Sequence, residues 1–113
     1  TQYELARAYY VWLCNNCVYD EGIVSSSSLS HLAYSALVDG VAVCDGYTGA
    51  YDLLLRLEGI ECTALMNADH IWTVAELDGK TYHIDTTWGD QGTRVDMSFF
   101  GMTEAQSRTK HAW

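Results

Sequence analysis

Basic residues are scarce in this chain: 6 Lys plus Arg stand against 15 Asp plus Glu in 113 residues, a formal charge of −9 with histidine neutral. A surface of that sign repels a phosphate backbone, so nucleic acid is excluded as a partner. No apolar run approaches the roughly 18 residues that a membrane span needs, and no charged-then-apolar leader opens the chain. No membrane contact by this domain is expected. Cysteine is also sparse, four in all, too few for a disulfide scaffold. Cys14-x-x-Cys17 lies inside an apolar helical pattern rather than after a strand, so a thioredoxin-type reading lacks its context. There is no second C-x-x-C and no H-x-x-x-H to complete a zinc set. The pair reads as small apolar side chains on a buried helix face, or as one thiol bridged to Cys62, and the sequence leaves both open. There is no internal repeat.

What is present suffices for one packed core: 49% of the residues are apolar and 12% aromatic. A single domain over residues 1–113 is expected, cut from a longer protein with other domains, since the chain starts at Thr1 and stops at Trp113. Tyr3, Ala6, Tyr10, Leu13 and Cys17 predict a helix over 3–18, and the serine run Ser25 to Ser28 predicts a surface loop over 20–28. Leu29 to Val38 reads as a short helix closing at Asp39-Gly40. From Cys44 to Leu57 the polar residues Asp45, Thr48, Asp52 and Arg56 form one narrow stripe on a helix otherwise apolar, the pattern of a buried central helix. Ile60 to Met66 reads as a strand. His70 to Leu77 and Lys80 to Thr87 read as two more, joined at Asp78-Gly79, a strong hairpin signal. Phe99 and Phe100 are expected to pack, with a closing strand near Lys110 to Trp113.

The hairpin register carries the chemistry. If Leu77 faces Lys80, then Val74 faces His83, Trp72 faces Asp85, and His70 lies diagonally beside Asp85 on the same face. An imidazole held by a carboxylate is a general base of fixed tautomer. A nucleophilic cysteine needs such a base, and also a setting that favours its thiolate, such as the first turn of a helix. Cys44 opens the central helix. Gly46, two residues in, costs helix propensity and implies a close backbone approach.

With those roles assigned, the segment Gly40-Val41-Ala42-Val43-Cys44-Asp45-Gly46-Tyr47, then His70-Ile71-Trp72, then Asp85-Thr86-Thr87-Trp88, resembles the core of the transglutaminase-like superfamily, its bacterial members above all. The likeness runs over residues 10–113 in element order, with the specific motifs confined to 43–88. It implies an α+β, papain-like fold with the central helix packed on a small antiparallel sheet. It also implies Cys44 as nucleophile, His70 as general base and acid, and Asp85 as the orienting carboxylate. The implied activity is acyl transfer through a thioester on protein carboxamide or peptide substrates. The alternatives are a cysteine protease or amidase with the same triad, or a catalytically inactive protein-binding module. No cofactor or metal is implied, and there is no D-x-D-x-D-G calcium loop. The resemblance suggests an extracellular or cell-surface setting.

The chain departs from the family pattern at Ile71 and Thr73, and no Gln precedes Cys44 to supply a second oxyanion donor, which leaves Tyr34 as the candidate. Tyr47, Trp72 and Trp88 are expected as site walls. Asp45, Asp69 and Asp90 would favour an amine or otherwise basic substrate. Two competing readings remain. His111-Ala112-Trp113 copies the family's H-A-W literally, but a base placed there would follow the carboxylate in chain order. His83, Asp85 and His111 together would make a two-histidine, one-carboxylate metal set.

Overall fold

The turn at Asp78-Gly79 organises the sheet. Both residues have positive φ, 51° and 83°, as a type I′ hairpin requires. The computed structural model describes residues 1–19 and 35–112. Within it, β3 (Cys62–Met66), β4 (Ile71–Leu77) and β5 (Lys80–Ile84) form an antiparallel sheet in the order β3-β4-β5. Leu77 pairs with Lys80 and Val74 with His83, the register that the turn dictates. The same turn docks onto the first helix, α1 (Gln2–Asn16): the Asp78 carboxylate accepts the backbone N–H groups of Gln2 and Tyr3 at 3.1 and 3.0 Å. With the Thr1 capping box, these bonds satisfy amides that a helix start leaves without internal partners.

β5 stops at Ile84 rather than running on to Thr87. Asp85 instead caps α3 (Thr86–Gly89), a single turn, by accepting from Trp88 N–H. The end of the chain also differs from the expected strand. Thr103 and Gln106 form a capping box that starts α4 (Glu104–Lys110), and His111 is its C-cap. The expected loop over 20–28 and the first part of the Leu29 to Val38 helix lie outside the described residues. Ser35–Asp39 is a π-helical turn, and β2 (Val41–Ala42), not foreseen, pairs in parallel with β1 (Val18–Tyr19).

The central helix α2 (Cys44–Leu57) packs on β3 and β4, with the middle of its polar stripe turned inward while Asp45 and Arg56 stay exposed. Thr48 and Asp52 are buried while Leu53 and Leu57 are exposed. Hydrogen bonds explain the inward turn: Thr48 Oγ1 donates to the Ile71 carbonyl, and Asp52 accepts from Thr73 Oγ1. Burial raises the Asp52 carboxyl to about 6, against the opposing effects of Thr73 and Arg56. Tyr10 and Leu13 of α1, Tyr51 and Leu55 of α2, Leu77 and Ile84 fill the core. Each contributes about 2 kcal/mol by leaving water.

Gly89 shows how tightly α3 sits against α1. A β-carbon there would overlap the Tyr10 hydroxyl, which donates to the Asp96 carbonyl at 2.6 Å on a fully buried ring. Gly89→Ala is therefore expected to destabilise the domain by about 2 kcal/mol or more through overpacking. A urea titration checks this, and an unchanged midpoint would contradict it.

Candidate active site

Cys44 is the first residue of α2. Its N-cap is Val43, whose apolar side chain makes no capping bond, so the amides of the first turn are left available to an anion from that side. The thiol donates to Asp45 Oδ1 at 3.4 Å, and Cys44 stands close enough to the His70 ring to act on its pKa. His70 stands just before β4, where Asn67 Oδ1 accepts the backbone N–H groups of Asp69 and His70 at 2.9 and 2.8 Å. That side-chain-capped turn fixes the backbone from which the ring projects. His70 Nε2 meets Asp85 Oδ2 at 2.8 Å, leaving Nδ1 as the ring nitrogen for the sulfur. The sequence motifs thus converge in space, although His70 and Asp85 meet just beyond the strand ends and not as a cross-strand diagonal within the ladder.

The electrostatics follow from this packing. Burial pulls the His70 pKa down. The Asp85 bond, the Cys44 contact and the charges of both outweigh it and carry the pKa up to about 9. Asp85 is fully buried, which by itself would raise its pKa, yet the bonds from His111 and His70 hold its carboxyl below the ordinary value. The other cysteines are free thiols with no bridge to Cys62. Burial pushes Cys17 and Cys62 up to about 11, and Cys14 further still.

His111 is the site residue whose position the sequence reading missed. Its Nε2 also meets Asp85 Oδ2 at 2.8 Å, so one carboxylate oxygen serves two imidazoles. Chain order kept His70 beside Asp85 but did not keep His111 away. The Met102 bridge to His83 and the capped α4 return the chain to the hairpin. The literal H-A-W copy and the Thr103-x-x-Gln106 box were the signals available. His83 does not join the cluster; its Nδ1 accepts from Trp72 Nε1 at 3.1 Å. The expected metal set therefore has a different membership: ligand atoms of His70, Asp85 and His111 lie within 4.8 Å of one another, and could hold a metal, but hydrogen bonds among them already satisfy the geometry.

A cleft of about 450 Å³ opens beside His70, lined by Tyr19, Thr87, Trp88, Asp90 and Phe99. Trp88 stacks on His70 with ring centroids 4.3 Å apart and 5° between planes. Tyr47 and Trp72, expected as walls, are instead fully buried behind the cleft. Tyr47 donates to Asp90 Oδ2 at 2.7 Å and so aims that carboxylate, while Trp72 stacks on His111. Tyr34 lies outside the described residues. Asp45 and Asp69 are exposed, and of the three expected acidic residues only Asp90 lines the cleft.

The family model of the transglutaminase-like superfamily matches residues 1–113. The chain belongs to this superfamily. The transglutaminase-like domain is 27% identical over 108 residues to human Kyphoscoliosis peptidase, covering 79% of this chain and 16% of that protein. Its mouse counterpart is 25% identical over 103 residues, covering 76% and 16%. The domain thus spans about a sixth of these relatives' length. Among solved structures, one described as a TGase superposes with a TM-score of 0.64 at 18% identity, covering 77% of this chain and 26% of the other. A candidate cysteine protease of Cytophaga hutchinsonii gives 0.54 at 22%, covering 73% and 30%. At those identities the likeness is one of fold: α+β, with the central helix packed on an antiparallel sheet. Among the described residues, no helix is long and apolar enough to cross a membrane.

Proposed function

We propose that this domain transfers acyl groups from protein carboxamides through a thioester on Cys44. The observation that carries the reading is the 2.8 Å bond from His70 to Asp85, with Cys44 at the start of α2 beside the same ring. The Cys44 thiolate attacks the carboxamide carbon while first-turn amides of α2 face the developing oxyanion. Imidazolium at His70 gives its proton to the departing nitrogen, so ammonia leaves and the thioester remains. An amine or a water then attacks; His70 takes its proton, and the acyl product leaves as Cys44 is regenerated as thiolate. Asp85 keeps its charge throughout and holds the imidazolium.

The acceptor decides between two outcomes. Asp90, facing the cleft with aromatic neighbours, favours an amine and hence an isopeptide product. Hydrolysis is the second reading, favoured by relatives that carry the name peptidase. Within a longer protein the domain would receive its substrate with the help of neighbouring segments.

Incubation with a glutamine-bearing protein and a dansyl-labelled primary amine separates these readings. Covalent label on uncut protein, absent with Cys44→Ala, is the expected result. Chain cleavage without label would establish the hydrolytic reading, and neither product would leave a binding module.

A further inference from the structure

We infer that His111 is a positioning residue that holds the Asp85 carboxylate in place for His70. This inference rests on the acyl-transfer reading above. The ring of His111 is fully enclosed, its side chain having no exposed surface, so it cannot itself meet substrate or thiol. Its orientation is nonetheless determined at every edge. Nε2 faces Asp85 Oδ2, Nδ1 faces Ser107 Oγ at 2.9 Å and the Ser107 carbonyl at 3.2 Å, and the ring lies flat on Trp72 at 3.8 Å and 6°. Asp85 is acceptor-only as a carboxylate, so Nε2 carries a proton. Nδ1 then either accepts from the Ser107 hydroxyl or, protonated, donates to the Ser107 carbonyl. The ring keeps its grip on Asp85 in both states.

A second link ties the two imidazoles together. Asn67, whose Oδ1 fixes the His70 backbone, donates from Nδ2 to the Ala112 carbonyl at 2.8 Å, next to His111. The base and the positioning residue thus share one carboxylate oxygen and one asparagine. Among the described residues, the groups facing this pair include His70, and through it Cys44, His83 on β5, and Tyr10 and Cys14 from α1, both kept neutral by burial. Without the His111 donor, fewer bonds oppose burial at Asp85, its carboxyl protonates more readily, and a neutral Asp85 supports imidazolium at His70 less well.

The test uses His111→Phe, which keeps a flat ring against Trp72 but has no donor, and His111→Gln, which restores an N–H. Cys44 alkylation by iodoacetamide is followed against pH in both, with circular dichroism as a check on folding. In His111→Phe the acid limb of the profile is expected to move up by about one pH unit, the value of a hydrogen bond to a charged group, and His111→Gln is expected to move it back. Should His111→Phe not fold, His111→Gln against His111→Ala is read the same way. Unmoved limbs in the variants, while His70→Ala still abolishes selective labelling, would overturn the positioning role alone. Loss of any His70 effect would instead remove the acyl-transfer reading beneath it.

Discussion

His70→Ala is expected to slow alkylation of Cys44 at pH 7 by about tenfold or more, because the variant removes the imidazole that takes the thiol's proton. The same change is expected to slow acyl transfer by about 10² to 10⁴, the usual contribution of a positioned acid and base. Selectivity makes the measurement decisive. Cys17 and Cys62 are pushed up to about 11 by burial, and Cys14 higher, so iodoacetamide should find Cys44 first in the unaltered domain. Peptide mapping by mass spectrometry reads all four sites at once. Uniform slow labelling in both proteins would point to a binding module instead. The pH dependence has a definite sign. The folded-state pKa of His70 is raised from 6.5 to about 9, so its imidazolium contributes stability that is complete below 6.5 and disappears as pH climbs through about 9. His70→Ala should remove that slope from the stability curve.

The contact between His70 and Asp85 was legible because the hairpin is governed by local rules. Asp78-Gly79 admits the positive φ angles of a two-residue turn, the turn fixes the register, and the register puts both residues at the same end of the ladder. Where the strand ends was misread for a reason equally local. Asp85 followed three residues later by Trp88 can cap a helical turn, and the capping bond at 3.0 Å wins over another rung of sheet. The polar stripe of α2 was legible as a stripe but not as a face. Periodicity places Thr48 and Asp52 together, yet whether they meet water or Thr73 depends on a partner strand more than 20 residues away. His111 lay beyond reach for the same reason. Its 26-residue separation from Asp85 is closed by α4 and by the Met102 bridge, neither of which was read from periodicity. Local chemistry thus reported the hairpin and the helix start that the site is built on, while long-range packing supplied the second imidazole.

Asp85 is where the two kinds of information meet, and its variants should separate folding from chemistry. Asp85→Ala removes the acceptor of two buried imidazoles and the cap of α3 together. A loss of about 3 kcal/mol is expected, in the lower part of the range for breaking a buried pair, because both histidines can become neutral. Asp85→Asn keeps the cap, since its amide oxygen can still accept from Trp88 N–H, and should lose clearly less stability. Its amide nitrogen, however, would point N–H groups at both Nε2 atoms. His70 would then take the tautomer with the proton on Nδ1, aimed at the sulfur, and could not accept a proton there. Both variants are therefore expected to lose acyl transfer by about 10⁴, the scale known for wrong-tautomer triads. Their thermal midpoints should nevertheless differ. In the unaltered domain, the lowered folded-state pKa of Asp85 gives stability that is present above its ordinary value of 3.8 and lost as pH falls through the lowered one. Neither variant should retain that acid slope. Equal activity in Asp85→Asn and the unaltered domain would show that the carboxylate only braces the fold, and the orienting role would fall even if Cys44 and His70 kept theirs.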